Sequence, residues 1–142
     1  MSIEFKRLLE KGKIEKKEID KDMINKEIEG AEYDLETSEE SINNEDFKWA
    51  TIQAYYSMFH SIRALIYFKG YRENSHYALL IAFKELYVHS GLIDKRFSNY
   101  FEEAMDLRES ADYNLTFSEN SAKEVLKRAK EMLIEIKKLI KW

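Results

Sequence analysis

The 142-residue sequence carries 27 Asp and Glu against 23 Lys and Arg, a net charge of −4, and contains neither cysteine nor proline. That balance excludes a disulfide scaffold, a thiolate metal site and a cysteine nucleophile, and it argues against the strongly basic surface that bulk nucleic-acid binding requires. The length fits one domain, and 44% hydrophobic residues with 35% charged ones suffice for a real core under a polar cover.

No run approaches the roughly 18–20 apolar residues of a membrane span. The opening Met1-Ser2-Ile3-Glu4-Phe5-Lys6 lacks the basic-then-apolar order of a signal peptide, so the expectation is a cytoplasmic protein with no membrane partner. Absence of proline favours long unbroken helices. The first dozen residues can form a short helix. The Lys/Glu-rich run from Lys11 to Lys21 then reads as a mobile or lightly docked arm, which sets residues 1–20 apart from a bundle over 21–142. Ile24, Ile28, Ala31 and Leu35 make a narrow stripe on a helix from about Asp20 to Ile42, in which Gly30 costs about 1 kcal/mol relative to alanine unless close packing compensates. From Asn44 to Lys69, Trp49, Ile52, Tyr56, Phe59 and Ile66 form one face, and small residues (Ala50, Ala54, Ser57, Ser61, Ala64) with Phe68 form a second. A helix apolar on two sides is the central, most buried one.

Gly70 suits a left-handed stop, and Tyr71 to Asn74 reads as a short loop. Asn74 or Ser75 then caps a helix through Val88 with Tyr77, Leu80, Ile81 and Val88 inward. Gly91 with Leu92 looks like its hydrophobic stop. A further helix runs from about Asp94 to Ala111 on Phe97, Phe101, Ala104, Leu107 and Ala111. The last runs from about Ser118 to Lys141, with Thr116 and Glu119 at capping-box spacing. No segment shows sustained period-two alternation. The expected class is all-α: an up-and-down antiparallel bundle of four long helices plus a short N-terminal helix.

Four features bear on chemistry. In Leu107-Arg108-Glu109-Ser110-Ala111-Asp112-Tyr113, Asp112 lies one turn from Arg108 and Tyr113 falls where the helix ends. The planar fork of Arg108 suits a phosphate, and the same pair serves equally to tie down a helix end. His60, His76 and His89 form no i, i+4 pair and no HExxH, so no metal or other cofactor is expected. His60 reads as a core or interface histidine. His76, just after Arg72 and Lys69, puts basic groups near a helix N-terminus where an anion is favoured, or is simply a surface histidine. Tyr55, Tyr56, Phe59, Tyr67, Phe68, Tyr71 and Tyr77 crowd one region. Aromatics stack nucleobases, and at helical spacing they also build cores and oligomer interfaces. The carboxylates show no inward Glu plus Glu-x-x-His set, and no glycine-rich phosphate loop or nucleophile elbow is present.

The run from Ala54 through Tyr55, Tyr56, Phe59, His60 and Arg63 to Leu65, then Lys69-Gly70-Tyr71, Ser75-His76, Gly91-Leu92-Ile93 and Leu107-Arg108 through Ala111-Asp112-Tyr113, resembles in order and spacing the HEPN (higher eukaryotes and prokaryotes nucleotide-binding) domains. The likeness covers roughly residues 21–138 and is nearest to the small stand-alone prokaryotic branch. It implies a helical bundle that dimerises and pairs with a small nucleotidyltransferase as a toxin with its antitoxin. Active members are metal-independent endoribonucleases. Their motif is an Arg, usually followed by a polar residue, with a His four to six residues after the Arg, and two copies meet in a cleft. Here the Arg is Arg108 and its follower is Glu109, but Tyr113 stands where the His would be. Tyrosine, with a reference pKa of about 10 against about 6.5 for histidine, is a poor base near neutral pH. The resemblance therefore implies three readings. In the first, Arg108 holds phosphate of nucleotide or RNA, oriented by Asp112, beside Tyr113, and these three are the catalytic candidates if the degenerate motif still serves a metal-independent endoribonuclease. In the second, a partner transferase modifies Tyr113. In the third, the bundle is a non-catalytic docking or substrate-binding partner of a nucleotidyltransferase.

Overall fold

The computed structural model describes residues 1–141. Four long helices, α2 (Lys21–Asn43), α3 (Phe47–Phe68), α5 (Lys95–Tyr113) and α6 (Glu119–Leu139), make the bundle. Two short helices, α1 (Ile3–Glu10) and α4 (His76–Phe83), accompany them. Asp or Ser caps the start of each long helix. Asp20 accepts from the Met23 amide, and Asp46, Asp94 and Ser118 act alike, each satisfying one otherwise orphaned N–H. Among the described residues no helix is long and apolar enough to cross a membrane.

The centre is α3, packed against α2, α4, α5 and α6. Its small residues let α2 come close. Ala31, Ala54 and Ala64 have no exposed surface, and two buried serines cross the interface: Ser57 Oγ donates to the Ala31 carbonyl and Ser38 Oγ to that of Ala50, both at 2.8 Å. Gly30 sits against the His60 ring, which a Cβ there would meet at 3.5 Å. His60 is thus an interface histidine, with Nδ1 2.6 Å from Glu27 and Nε2 3.6 Å from Asp34. Burial raises the Asp34 carboxyl above its ordinary value, and His60 opposes that shift.

The run from Lys11 to Lys21 is not a free arm. Ile14–Lys16 forms a strand, β1, paired antiparallel with β2 (Tyr71–Glu73), where a loop was expected; Ile14 faces Glu73 and Glu15 faces Arg72. Three-residue strands are too short to leave a period-two signal, and the pairing is non-local. Phe5 and Ile14 are fully buried, and the Phe5 ring meets Tyr71 edge-on at 5.7 Å. Ser2 caps α1, its backbone N–H donates to Glu85, and the Tyr77 hydroxyl donates to Glu4. Tyr77 therefore points outward, not inward as its helical position suggests, and is half exposed.

Four further expectations change. The helix after Ser75 becomes a π-helical turn over Lys84–Val88, which carries Tyr87 into the core, where its hydroxyl donates to the Leu65 carbonyl at 2.7 Å. Gly91 does take a left-handed φ of 79°, but the residue buried beyond it is Ile93, while Leu92 is exposed. Ser118, not Thr116, caps α6, and Trp49 is half exposed under Lys48 instead of joining the core face.

Two stability measurements check this packing. Phe5→Ala should cost about 3–5 kcal/mol in urea unfolding, as for a fully buried ring; an unchanged midpoint would mean that α1 is not part of the core. Gly30→Ala should be neutral or stabilise by up to about 1 kcal/mol, because the added methyl finds ordinary contact distance and helix propensity rises. A marked loss there would show the approach to His60 to be tighter than 3.5 Å.

Candidate functional site

The inward stripe of α5 continues through Ala104 and Ala111, both fully buried, and Arg108 lies between them at i+4 and i−3. Helix geometry therefore turns Arg108 toward the core, and the two alanines leave room for it. Its side chain is 14% exposed. Nη2 donates to the Tyr56 hydroxyl at 3.0 Å and lies 3.9 Å from Asp112, while the guanidinium sits 5.5–5.8 Å from the rings of Tyr56, Tyr113 and Tyr55. Burial works against its charge, but Tyr56, Tyr113, Tyr55 and Asp112 outweigh it, and Arg108 stays charged. Its Nε is buried with no partner among the described residues. An unmade charge-assisted hydrogen bond in a buried place costs on the order of 1–3 kcal/mol.

Arg108, Asp112 and Tyr113 thus share the C-terminal end of α5, where Tyr113 is the last helical residue and 71% exposed. Beyond it, Leu115 holds a left-handed φ of 52° and is exposed, as is Phe117.

His76 reaches the same neighbourhood from α4. Its Nδ1 meets the Tyr55 hydroxyl, and its ring stacks on Tyr55 at 5.7 Å and packs on Phe59 at 4.6 Å. It is half-buried, not a surface histidine. Burial depresses its pKa below the usual imidazole value, Arg108 and Arg63 depress it further, and Glu109 opposes them. Burial also raises the Tyr55 phenol far above its ordinary range, so Tyr55 keeps its proton.

On the other side of His76 lies an open groove of about 390 Å³, into which β1 contributes Glu15, β2 Arg72 and Glu73, α3 Phe59 and Arg63, and the entry to α4 Asn74 to His76. Arg63 holds Glu73 through Nε at 3.0 Å and Nη2 at 3.3 Å, reaches Glu27 at 3.7 Å, and lies over the Phe59 ring. Burial pushes the Glu73 carboxyl up, and Arg63 offsets this only in part. Arg72 and His76 share this groove as the sequence suggests, but Arg108 does not line it.

Glu15 and Glu73 were not singled out from the sequence, where Tyr56 stood only among the clustered aromatics and Arg63 only in the family-like run. Tyr56, Phe59 and Arg63 at i, i+3 and i+7 do mark one face of α3. Glu15 and Glu73 depend on a strand pairing that leaves no local trace. The surroundings of His76 set its titration. An NMR titration should place its midpoint below 6.5, because burial and two cations disfavour the imidazolium. Arg108→Ala should move it upward, and a midpoint at or above 6.5 in the unaltered protein would contradict this placement.

A family model described as the HEPN domain matches residues 24–139. A protein of Methanocaldococcus jannaschii named as a "putative toxin" is 34% identical over 93 residues, spanning 66% of this chain and 63% of that protein, less than two thirds of its length. A second protein so named from the same organism is 29% identical over 115 residues, 80% of this chain and 86% of its own. A UPF0332 protein of Thermotoga maritima is 29% identical over 101 residues, 70% and 76% of the two chains. A match over most of the chain, coinciding with α2 to α6 and with the helix that carries Arg108, shows that this protein belongs to the HEPN domain family.

Proposed function

We propose that the protein is the toxin-like member of a HEPN–nucleotidyltransferase pair and that it binds the phosphate of RNA or a nucleotide at the Arg108 surface. The observation that carries this reading is the buried guanidinium with an unpartnered Nε, set beside an exposed tyrosine at a helix end. Arginine is the side chain best matched to phosphate oxygens, and partial burial strengthens the attraction. Asp112 and Tyr56 orient Arg108, and Tyr113 lines the same surface. Arg72 and His76 offer phosphate contacts of their own in the groove, which Arg108 does not line. Two copies would bring their Arg108 side chains to one cleft, and the names of the relatives support the toxin-like role.

Binding is favoured over cleavage. Cutting would need a base for the ribose 2′-hydroxyl, and the position five residues beyond Arg108, where the motif histidine would stand, carries Tyr113. His76 does not stand in that position: its Nδ1 is paired with the Tyr55 hydroxyl, and it lines the groove, which Arg108 does not. The same features suit a docking partner of the transferase, with Tyr113 exposed for modification.

Fluorescence anisotropy with single-stranded and structured RNA tests the reading. Arg108→Ala should weaken binding about tenfold or more and reduce the slope of log K against log salt by about 0.7 for single strands. The same samples run on a gel report cleavage. No RNA or nucleotide binding, with neither dimer by light scattering nor co-purification with a small nucleotidyltransferase, would sink the proposal.

A further inference from the structure

The groove and the Arg108 surface are separated by a stack of rings. Tyr55 lies between Phe101 and His76, parallel to both within 9°, at 5.4 and 5.7 Å. Arg108 approaches this stack through the ring of Tyr55, whereas His76 belongs to the groove. One histidine therefore touches both sides, but no groove residue contacts Arg108 by hydrogen bond.

The donors of the groove are not used up by the protein. Arg63 is held by Glu73 and Glu27, so its charge is matched. Arg72 forms no ion pair among the described residues, although Glu15 stands opposite it in the ribbon. The Tyr55 hydroxyl is paired with His76 Nδ1. An O–H donated there would leave the hydrogen of the neutral His76 ring on Nε2, which has no hydrogen-bond partner among the described residues. At the start of α4, Ser75 satisfies the amides of Ala78 and Leu79, and those of His76 and Tyr77 have no acceptor among the described residues. Arg63 and the His76 ring both pack on Phe59, the one aromatic ring besides His76 that lines the groove among the described residues, so it offers a base little free platform.

We infer that this groove is a phosphate-monoester site, separate from the Arg108 surface, in which Arg72 supplies the charge and His76 an Nε2–H donor that Tyr55 holds in place. The site recognises the phosphate and leaves the base unread; its volume also admits the attached sugar. The shared chemistry is that of a free nucleoside monophosphate and of the terminal phosphate of an RNA chain. Glu15 competes with the ligand for Arg72. The groups facing His76 are Tyr55, Tyr56 and Arg63 from α3, Arg108 and Glu109 from α5, and Arg72, Glu73 and Glu15 from the ribbon. This inference rests on the premise of the proposed function that this end of the bundle receives phosphate, and it differs in assigning a second, independent place for it.

The test compares one oligoribonucleotide with a 5′-phosphate and with a 5′-hydroxyl, alongside inorganic phosphate and a nucleoside 5′-monophosphate as competitors. The phosphorylated chain should bind about tenfold tighter, one charge-assisted contact's worth. Arg72→Gln and Tyr55→Phe should remove most of that preference. Glu15→Gln, at an exposed position, should increase it about two- to fivefold. Arg108→Ala should weaken both oligonucleotides together and leave their ratio unchanged. If the monophosphate competes as well as the RNA end, the free nucleotide is the ligand; if only the RNA end binds, the chain terminus is. Equal binding of the two oligonucleotides with no competition by either small phosphate overturns the inference, as does a preference lost in Arg108→Ala. Phosphate binding retained without any Arg108-dependent RNA binding would instead overturn the proposed function alone.

Discussion

The structure depends on α3 being buried on almost every side. Its contact with α2 is made by alanines, by two buried serine-to-carbonyl hydrogen bonds and by the His60 ring against Gly30, which together bring the backbones close. Once that face is closed, the bulky side chains of α3 gather on the opposite side. Tyr55, Tyr56, Phe59 and Arg63 all meet partners from α4, α5 or the ribbon. The aromatic load therefore has one physical origin: a central helix with one small-residue face must place its large residues on the other.

Electrostatics on that side follow from the same crowding. Burial would drive the charge off an isolated group. Arg108 resists because phenol oxygens and Asp112 surround it, and Arg63 resists because Glu73 clasps it bidentately. Among the described residues His76 makes no hydrogen bond to a carboxylate; burial and two guanidinium groups lower its pKa, against the opposing pull of Glu109. Two cationic centres thus stand on either side of a neutral aromatic stack, each with a different degree of internal pairing.

The N-terminal segment bears on this arrangement although the family match begins at residue 24. Through β1 it pins β2, and β2 carries Arg72 and Glu73 directly into the entry of α4. Phe5 and Ile14 give the segment its own share of core, and the bond from Tyr77 to Glu4 ties α1 to α4. The groove is therefore a composite of family domain and preceding segment.

Local chemistry in the sequence was enough for the helices themselves. Periodicity, Asp and Ser caps, Gly70, and the small-residue face of α3 specify where they run and which is central, because each signal lies within a few residues of the structure it produces. The adjacency of Arg108, Asp112 and Tyr113 was legible for the same reason. What only the tertiary structure decided is non-local: the pairing of Glu15 with Arg72, the hydroxyl of Tyr55 on His76, and the turning of Arg108 onto Tyr56. These contacts join residues 21 or more positions apart, and no propensity or spacing records them. The depth at which Arg108 lies, and the ring stack that divides its surface from the groove, come from packing alone.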